Sequence, residues 1–176
     1  QHQVRVLITT YNRPKECLRL LQDLVREARV HRLDVQVWDD ASSEDYSEVE
    51  ELVRRHRWTY HRAPHHHGKR KFWAWISRIY KAQEGSTHPY TVQLPDDVRL
   101  CADFISRAVH AYRSAPQDAL ASVNLQADSR LSSRSGCWTG VAPLKVDKEL
   151  HETAWVDGLF IAGKGYFRAL AYGCPE

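Results

Sequence analysis

The stretch "VRVLITTYNRP" (residues 4–14) changes character halfway. Val4 to Thr10 is β-branched and largely apolar, which is the composition of a buried strand. Tyr11-Asn12-Arg13-Pro14 is turn chemistry, and proline's fixed φ suits the first position of a helix. Leu18, Leu21, Leu24 and Val25 then recur at helical spacing, with Cys17 on the same face. A strand that hands over to an amphipathic helix through a short polar turn opens a β–α–β arrangement.

The alternation continues downstream. Asp34–Trp38 alternates and ends at Asp39-Asp40, a second strand. Ser42-Ser43-Glu44-Asp45 predicts the cap of a helix running to about residue 56. Trp58-Thr59-Tyr60 is a short third strand. His65-His66-His67-Gly68 reads as a mobile polar loop, because three consecutive rings point in different directions and cannot readily share one metal. Lys69 to Glu84 predicts a helix with Phe72, Ile76, Ile79 and one of Trp73 and Trp75 in the core. Residues 90–94 form a fourth strand, and 102–112 a helix with Phe104, Ile105, Ala108 and Val109 inward. A fifth strand at 118–125, a mobile loop over 126–152, a strand at 155–162 and a short helix at 165–171 complete the reading. Strands alternating with helices imply an α/β fold with a mainly parallel sheet, flanked by helices, in a single domain over residues 1–176.

The bulk properties narrow the chemistry. The formal charge of +3 is too small by itself to select a nucleic-acid partner. Cysteines at 17, 101, 137 and 174 show no CxxC spacing, so they are expected to be reduced, buried thiols of a cytosolic protein. No apolar run approaches the roughly 18 residues that span a bilayer. The chain enters a strand at once, with no signal-peptide pattern. It contains no methionine, so we expect a trimmed or processed chain.

The first strand is not followed by GxGxxG, and GxxxxGK[ST] is absent. Instead, three strand ends carry polar signatures: "ITTYNRP" (8–14), "VWDDASSED" (37–45) and "LPDDV" (94–98). Ligands of open α/β sheets bind at those ends. Taken in order, the three segments resemble the GT-A nucleotide-sugar glycosyltransferases, in particular the family-2-type inverting group. Members open with a strand ending in T-x-Y/F-N-R, follow with DD-x-S, and place an acidic DXD-like motif after a later strand. "HHHGKRKFWAWISRIYKA" (65–82) stands where the group has a glycine-plus-basic segment. "VDGLFIAGKGYFRALAYGCPE" (156–176) is similar to the approach to the group's GxF/YDE turn, beyond which its general base usually lies. The chain stops at that turn, and a missing C-terminal part is therefore expected.

The resemblance implies a Rossmann-like GT-A domain that takes a nucleoside-diphosphate sugar, of UDP type, and transfers the sugar with inversion to an unknown acceptor. A diphosphate is too anionic to meet carboxylates directly, so a hard divalent cation, Mn²⁺ or Mg²⁺, must mediate. The resemblance assigns the metal to Asp97 and the ribose or a basic neighbour to Asp96. It gives the base to Asp39, with Thr9, Thr10 and Tyr11 forming one wall. Asp40 is expected to bond the turn at residues 41–43. Arg13 is added to the nucleotide-binding set, and Lys69, beside Gly68, to its diphosphate end. Asp157 falls where relatives place acceptor-side residues and is the candidate base, with a structural turn beside Gly158 as the rival reading. Two other readings stay open. One is a nucleic-acid-binding module using the basic and aromatic segment "HRAPHHHGKRKFWAW" (61–75). The other is a catalytically incomplete domain that binds donor only.

Overall fold

The computed structural model describes residues 1–114, 122–124, 145–146, 151–152, 159–163 and 166. β1 (Gln3–Thr10) runs into α1 (Pro14–Glu27), which carries proline in its first turn as expected. β2 (Arg32–Asp39), α2 (Ser47–Arg55) and β3 (Thr59–Arg62) follow. A 3-10 turn at Lys69–Lys71 leads into α3 (Phe72–Lys81), then β4 (Tyr90–Pro95) and α4 (Phe104–Ser114). β5 (Ser122–Asn124), β6 (Lys145–Val146), β7 (His151–Glu152) and β8 (Phe160–Gly163) are short.

Six of these strands make one sheet in the order β3-β2-β1-β4-β8-β5. β1 pairs in parallel with β2 and β4, and β2 in parallel with β3. β8 is antiparallel to both β4 and β5, which makes the sheet mainly rather than wholly parallel. β6 and β7 form a separate antiparallel pair inside the stretch expected to be a loop.

Side chains alternate along each strand, so one sheet buries two faces. Val4, Val6 and Ile8 of β1, Val35 and Val37 of β2, and Val92 and Leu94 of β4 face one way. They pack against Cys17, Leu20, Leu21 and Leu24 of α1, Val49 and Val53 of α2, and Ile105, Ala108 and Val109 of α4. Leu7, Trp38, Phe160 and Ala162 face the other way, against Trp75, Ile76, Ile79 and Tyr80 of α3. Truncating a fully buried residue of this kind, such as Leu21 to alanine, costs about 2–5 kcal/mol.

Three local expectations are corrected. α2 begins at Ser47 because residues 42–44 are drawn across to the turn after β1 instead of capping a helix. Phe72 is exposed: it shares the helix face of Ile76 and Ile79 but stands in the first turn of α3, ahead of the core positions that begin at Trp75. Cys17 is buried and its thiol is pushed up to about 12 by burial, but Cys101 is exposed. Cys137, Cys174 and most of the segment expected to form a helix at 165–171 lie outside the described residues.

Candidate functional site

The strand order reverses at β1. β2 and β3 extend to one side of it and β4 to the other, so the turns that leave β1 and β4 flank the point where open α/β sheets take their ligands. Those turns carry Tyr11–Arg13 and Asp96-Asp97. The strand period decides which side chains face this point and which support it. Thr10, Asp39 and Asp96 continue the apolar rows facing α1 and α2, so they are buried.

This buried layer is fully wired. The hydroxyl of Thr10 donates to Asp96 Oδ2 at 2.7 Å and lies 2.6 Å from the Tyr46 hydroxyl. Thr10 has a single proton and gives it to the carboxylate, so Tyr46 donates to Thr10. Tyr46 in turn accepts the Arg13 N–H at 3.0 Å, and the turn after β1 is thereby fixed to α2's entrance. Burial raises the pKa of Asp96, opposed by the Thr10 hydrogen bond and by the nearby Arg13. Asp39 accepts the Ser42 N–H and hydroxyl on Oδ1 and the Tyr60 hydroxyl on Oδ2, with Arg62 Nη1 at 3.5 Å. Burial, and then the adjacent carboxylate, drive the Tyr60 pKa upward.

The two turns interlock. Ser42 Oγ accepts the Asn12 N–H at 2.8 Å, and Asn12 Oδ1 accepts the Ser43 N–H at 2.8 Å. Asn12 sits at φ 52, a left-handed conformation that asparagine tolerates better than most residues. Ala41 adopts φ 58 with no such excuse of residue type.

Asp40 points to the opposite face from Asp39 and meets the histidine loop. Its carboxylate accepts the His67 N–H at 3.0 Å and touches His67 Nδ1 at 2.6 Å and His66 Nδ1 at 2.9 Å. Gly68, at φ 62, turns its N–H toward the same carboxylate at 3.4 Å. His67 stacks on Trp75 at 4.9 Å, and His66 stacks on Tyr11 at 3.8 Å with the rings 14° apart. The expected mobile loop is therefore tied at two rings and two backbone groups.

What remains open to a ligand is a smaller set. Tyr11 is exposed, and the side chains of Arg13 and Asp97 are each about half exposed. Arg13 Nη1 lies 2.6 Å from Asp97 Oδ2 and 3.7 Å from Asp96 Oδ1. Thr9 is partly buried, and Lys69 is exposed in the 3-10 turn just after Gly68. The structure thus brings Thr9–Arg13, Asp39, Asp96 and Asp97 to one sheet edge and leaves Lys69 on the loop that Asp40 anchors. Asp157 lies outside the described residues.

One expected role is revised. Asp39, not Asp40, bonds the following turn, because the residue that ends β2 points into the α2 face and finds Ser42 there. Asp39 has no exposed surface, and its oxygens accept hydrogen bonds from Ser42 and Tyr60.

Asp23, which none of the motifs points to, supports the site. Asp23 of α1 is buried and accepts Arg99 through Nε at 2.8 Å and Nη2 at 3.0 Å, and the Leu100 N–H at 3.1 Å. It fixes the chain immediately after Asp97. The signal was an acid among Leu20, Leu21 and Leu24 on the apolar face of α1.

Among the described residues no three His, Cys, Asp or Glu side chains converge into a metal cage. The donors nevertheless suit a hard cation that shares its shell with a diphosphate and water, which needs one or two carboxylates. Arg13 engages Oδ2 of Asp97, and no hydrogen bond among the described residues takes Oδ1.

No family profile and no curated protein matches the sequence. Solved structures do match by shape. A mannosyltransferase from Pyrobaculum calidifontis, in complex with GDP-Man and Mn²⁺, has a TM-score of 0.60 and 18% identity over 97% of this chain and 47% of its own. Residues 1–349 of TarS from S. aureus give 0.59 and 13% over 92% of this chain and 47% of theirs. Glucosyl-3-phosphoglycerate synthase from Mycobacterium tuberculosis, in complex with UDP, gives 0.55 and 12% over 92% of this chain and 57% of its own. The chain spans about half the length of the solved structures it matches. These likenesses give it the GT-A fold, as the sequence resemblance implied.

Proposed function

We propose that the chain is a metal-dependent glycosyltransferase domain that binds a nucleoside-diphosphate sugar, of UDP type, where the turns after β1 and β4 come together. The observation that carries this reading is the meeting of Tyr11 and Arg13 with Asp96 and Asp97 at the reversal of strand order. Tyr11 offers an exposed ring for a base. Thr9 lies beside it on β1, and Thr10 and Asp39 hold that wall from behind. Arg13 and Lys69 supply positive charge for the diphosphate. Asp97, with Asp96 behind it, would hold Mn²⁺ or Mg²⁺ together with the diphosphate. When bound, the metal stabilises negative charge on the departing diphosphate. Asp157 is the proposed acceptor-side base, and inversion is proposed from the resemblance alone. The solved structures bound to GDP-Man with Mn²⁺ and to UDP support the donor class. The acceptor, a saccharide, protein, lipid or nucleic acid, is open.

The nucleic-acid reading loses ground on one observation. Three aromatic residues in 61–75 face inward: His61 stacks on Trp38, His67 is held by Asp40, and Trp75 is buried. A stacking groove needs open ring faces. A donor-binding domain without turnover is separated from the enzyme by assaying donor hydrolysis and transfer directly. The binding step itself is tested by thermal shift with UDP, with and without Mn²⁺. A ligand that prefers the folded state raises the melting temperature. Stabilisation by UDP that is enhanced by Mn²⁺ is the expected result, and no response to UDP in either condition counts against the reading.

A further inference from the structure

The start of the third helix is bare on every side. Lys69, Arg70, Lys71, Phe72, Trp73 and Ala74 are all exposed. A 3-10 helix closes a turn in three residues and an α-helix in 3.6. Six consecutive exposed residues therefore cover the full circumference, and the segment projects from the molecule. Phe72 and Trp73 are 46% and 52% exposed and touch edge to face at 5.4 Å. No described carboxylate forms an ion pair with Lys69, Arg70 or Lys71. Further along α3, Arg78 and Lys81 are exposed as well, and the helix contains no acid. Its inner side, Trp75, Ile76, Ile79 and Tyr80, is fixed in the core. The result is a rigid projection with two aromatic rings at its tip and five cations around and behind them.

In water this arrangement is unfavourable twice over. Two large rings stay hydrated, and three cations crowd the positive end of a helix. Both penalties fall at a boundary that is anionic outside and apolar within. The rings enter the headgroup–acyl region and the cations meet lipid phosphates and carboxylates. We propose that Arg70–Trp73, extended by Arg78 and Lys81, is a docking surface for an anionic lipid bilayer.

A bilayer fits better than the other common polyanion. Single-stranded nucleic acid stacks successive bases on ring faces along a groove. Here the two open rings are adjacent, set edge to face and on a projection. Docking through residues 70–73 also places the site beyond Gly68 and Asp40 close to the bilayer, within reach of an acceptor carried by lipid. That last step rests on the donor reading, whereas the docking surface does not.

The experiment is co-sedimentation of the 176-residue chain with vesicles, either of phosphatidylcholine alone or with about one third phosphatidylserine. We expect binding to the anionic vesicles only, weakened by high salt. Phe72→Ser with Trp73→Ser, and separately Arg70→Glu with Lys71→Glu, each weaken it by at least about tenfold. Arg29→Glu, an exposed cation outside the patch, leaves it unchanged. Far-UV circular dichroism verifies that each variant is folded, and UDP binding is measured in parallel so that the donor reading fails or stands separately. The proposal is overturned by absence of binding to anionic vesicles, by equal binding to neutral ones, or by binding that the aromatic substitutions do not change. Preference for an oligonucleotide over anionic vesicles overturns it too.

Discussion

Arg13 and Asp97 meet where the turns after β1 and β4 come together, with Nη1 2.6 Å from Oδ2, so the turn after β1 supplies the counter-charge to the turn after β4. Asp96 and Asp97 raise the pKa of Arg13, the hydrogen bond to Asp97 most. The pair spans the point at which a diphosphate and its metal would bring both kinds of charge.

Both side chains are about half exposed, so the pair itself contributes little to stability, about 0–1 kcal/mol. Arg13→Ala is expected to leave the melting temperature within about 3 °C of the parent. Its effect falls on binding instead. UDP affinity without metal drops roughly tenfold, as a charge-assisted contact to a phosphate is lost. Calorimetric titration alongside a melting curve checks both halves.

Asp23 is predicted to act at a distance on the same site. Asp23→Asn removes the charge that holds Arg99 and weakens the acceptor of the Leu100 N–H, at a cost of about 1–3 kcal/mol in urea unfolding. The freed chain after Asp97 weakens the metal-dependent part of UDP binding more than the metal-independent part. Arg26→Ala removes another Asp23 partner, on the solvent side, and serves as the control that leaves binding alone.

Much of this architecture was readable from residue order, and the places where it was not share a cause. The four leading strands, their parallel order and the turn at Tyr11–Pro14 follow from apolar periodicity and turn chemistry, both of them local. The division of labour between Asp39 and Asp40 does not. It depends on which strand face each residue takes at the exact end of β2, and a shift by one residue exchanges their roles. The histidine loop looked mobile because its anchor, Asp40, lies some 27 residues away in sequence. Phe72 reads as core because it is in phase with Ile76 and Ile79, and periodicity carries no sign of where along α3 the packing against the sheet begins. Asp23 was hidden as one polar residue on an apolar stripe, and its partner Arg99 lies 76 residues on.

Backbone strain gives a stabilising substitution. Ala41 is held at φ 58, where a Cβ is disfavoured and glycine is not. Ala41→Gly is expected to stabilise the fold by about 0.5–1 kcal/mol, somewhat offset by the greater freedom of glycine in the unfolded chain. The urea midpoint moves up by the corresponding amount while the m-value stays constant.

Acid should destabilise the protein earlier than carboxylate protonation alone would. Burial lowers the pKa values of His2, His31, His61 and His88, with repulsion from neighbouring positive charge adding to the effect at all but His61. Between each lowered value and the reference of 6.5, the unfolded chain binds more protons than the native one. Their stabilisation is therefore complete above about pH 6.5 and declines as pH falls below it. Urea midpoints measured across that range should fall with decreasing pH, and His61→Gln should flatten the decline.

The most direct test of the central claim is calorimetric titration of UDP into the parent chain and Asp97→Asn, each with and without Mn²⁺. The account predicts that Mn²⁺ tightens UDP binding to the parent, and that Asp97→Asn loses this increment while retaining its metal-free affinity and its fold. Metal-enhanced UDP binding of undiminished strength in Asp97→Asn would contradict it.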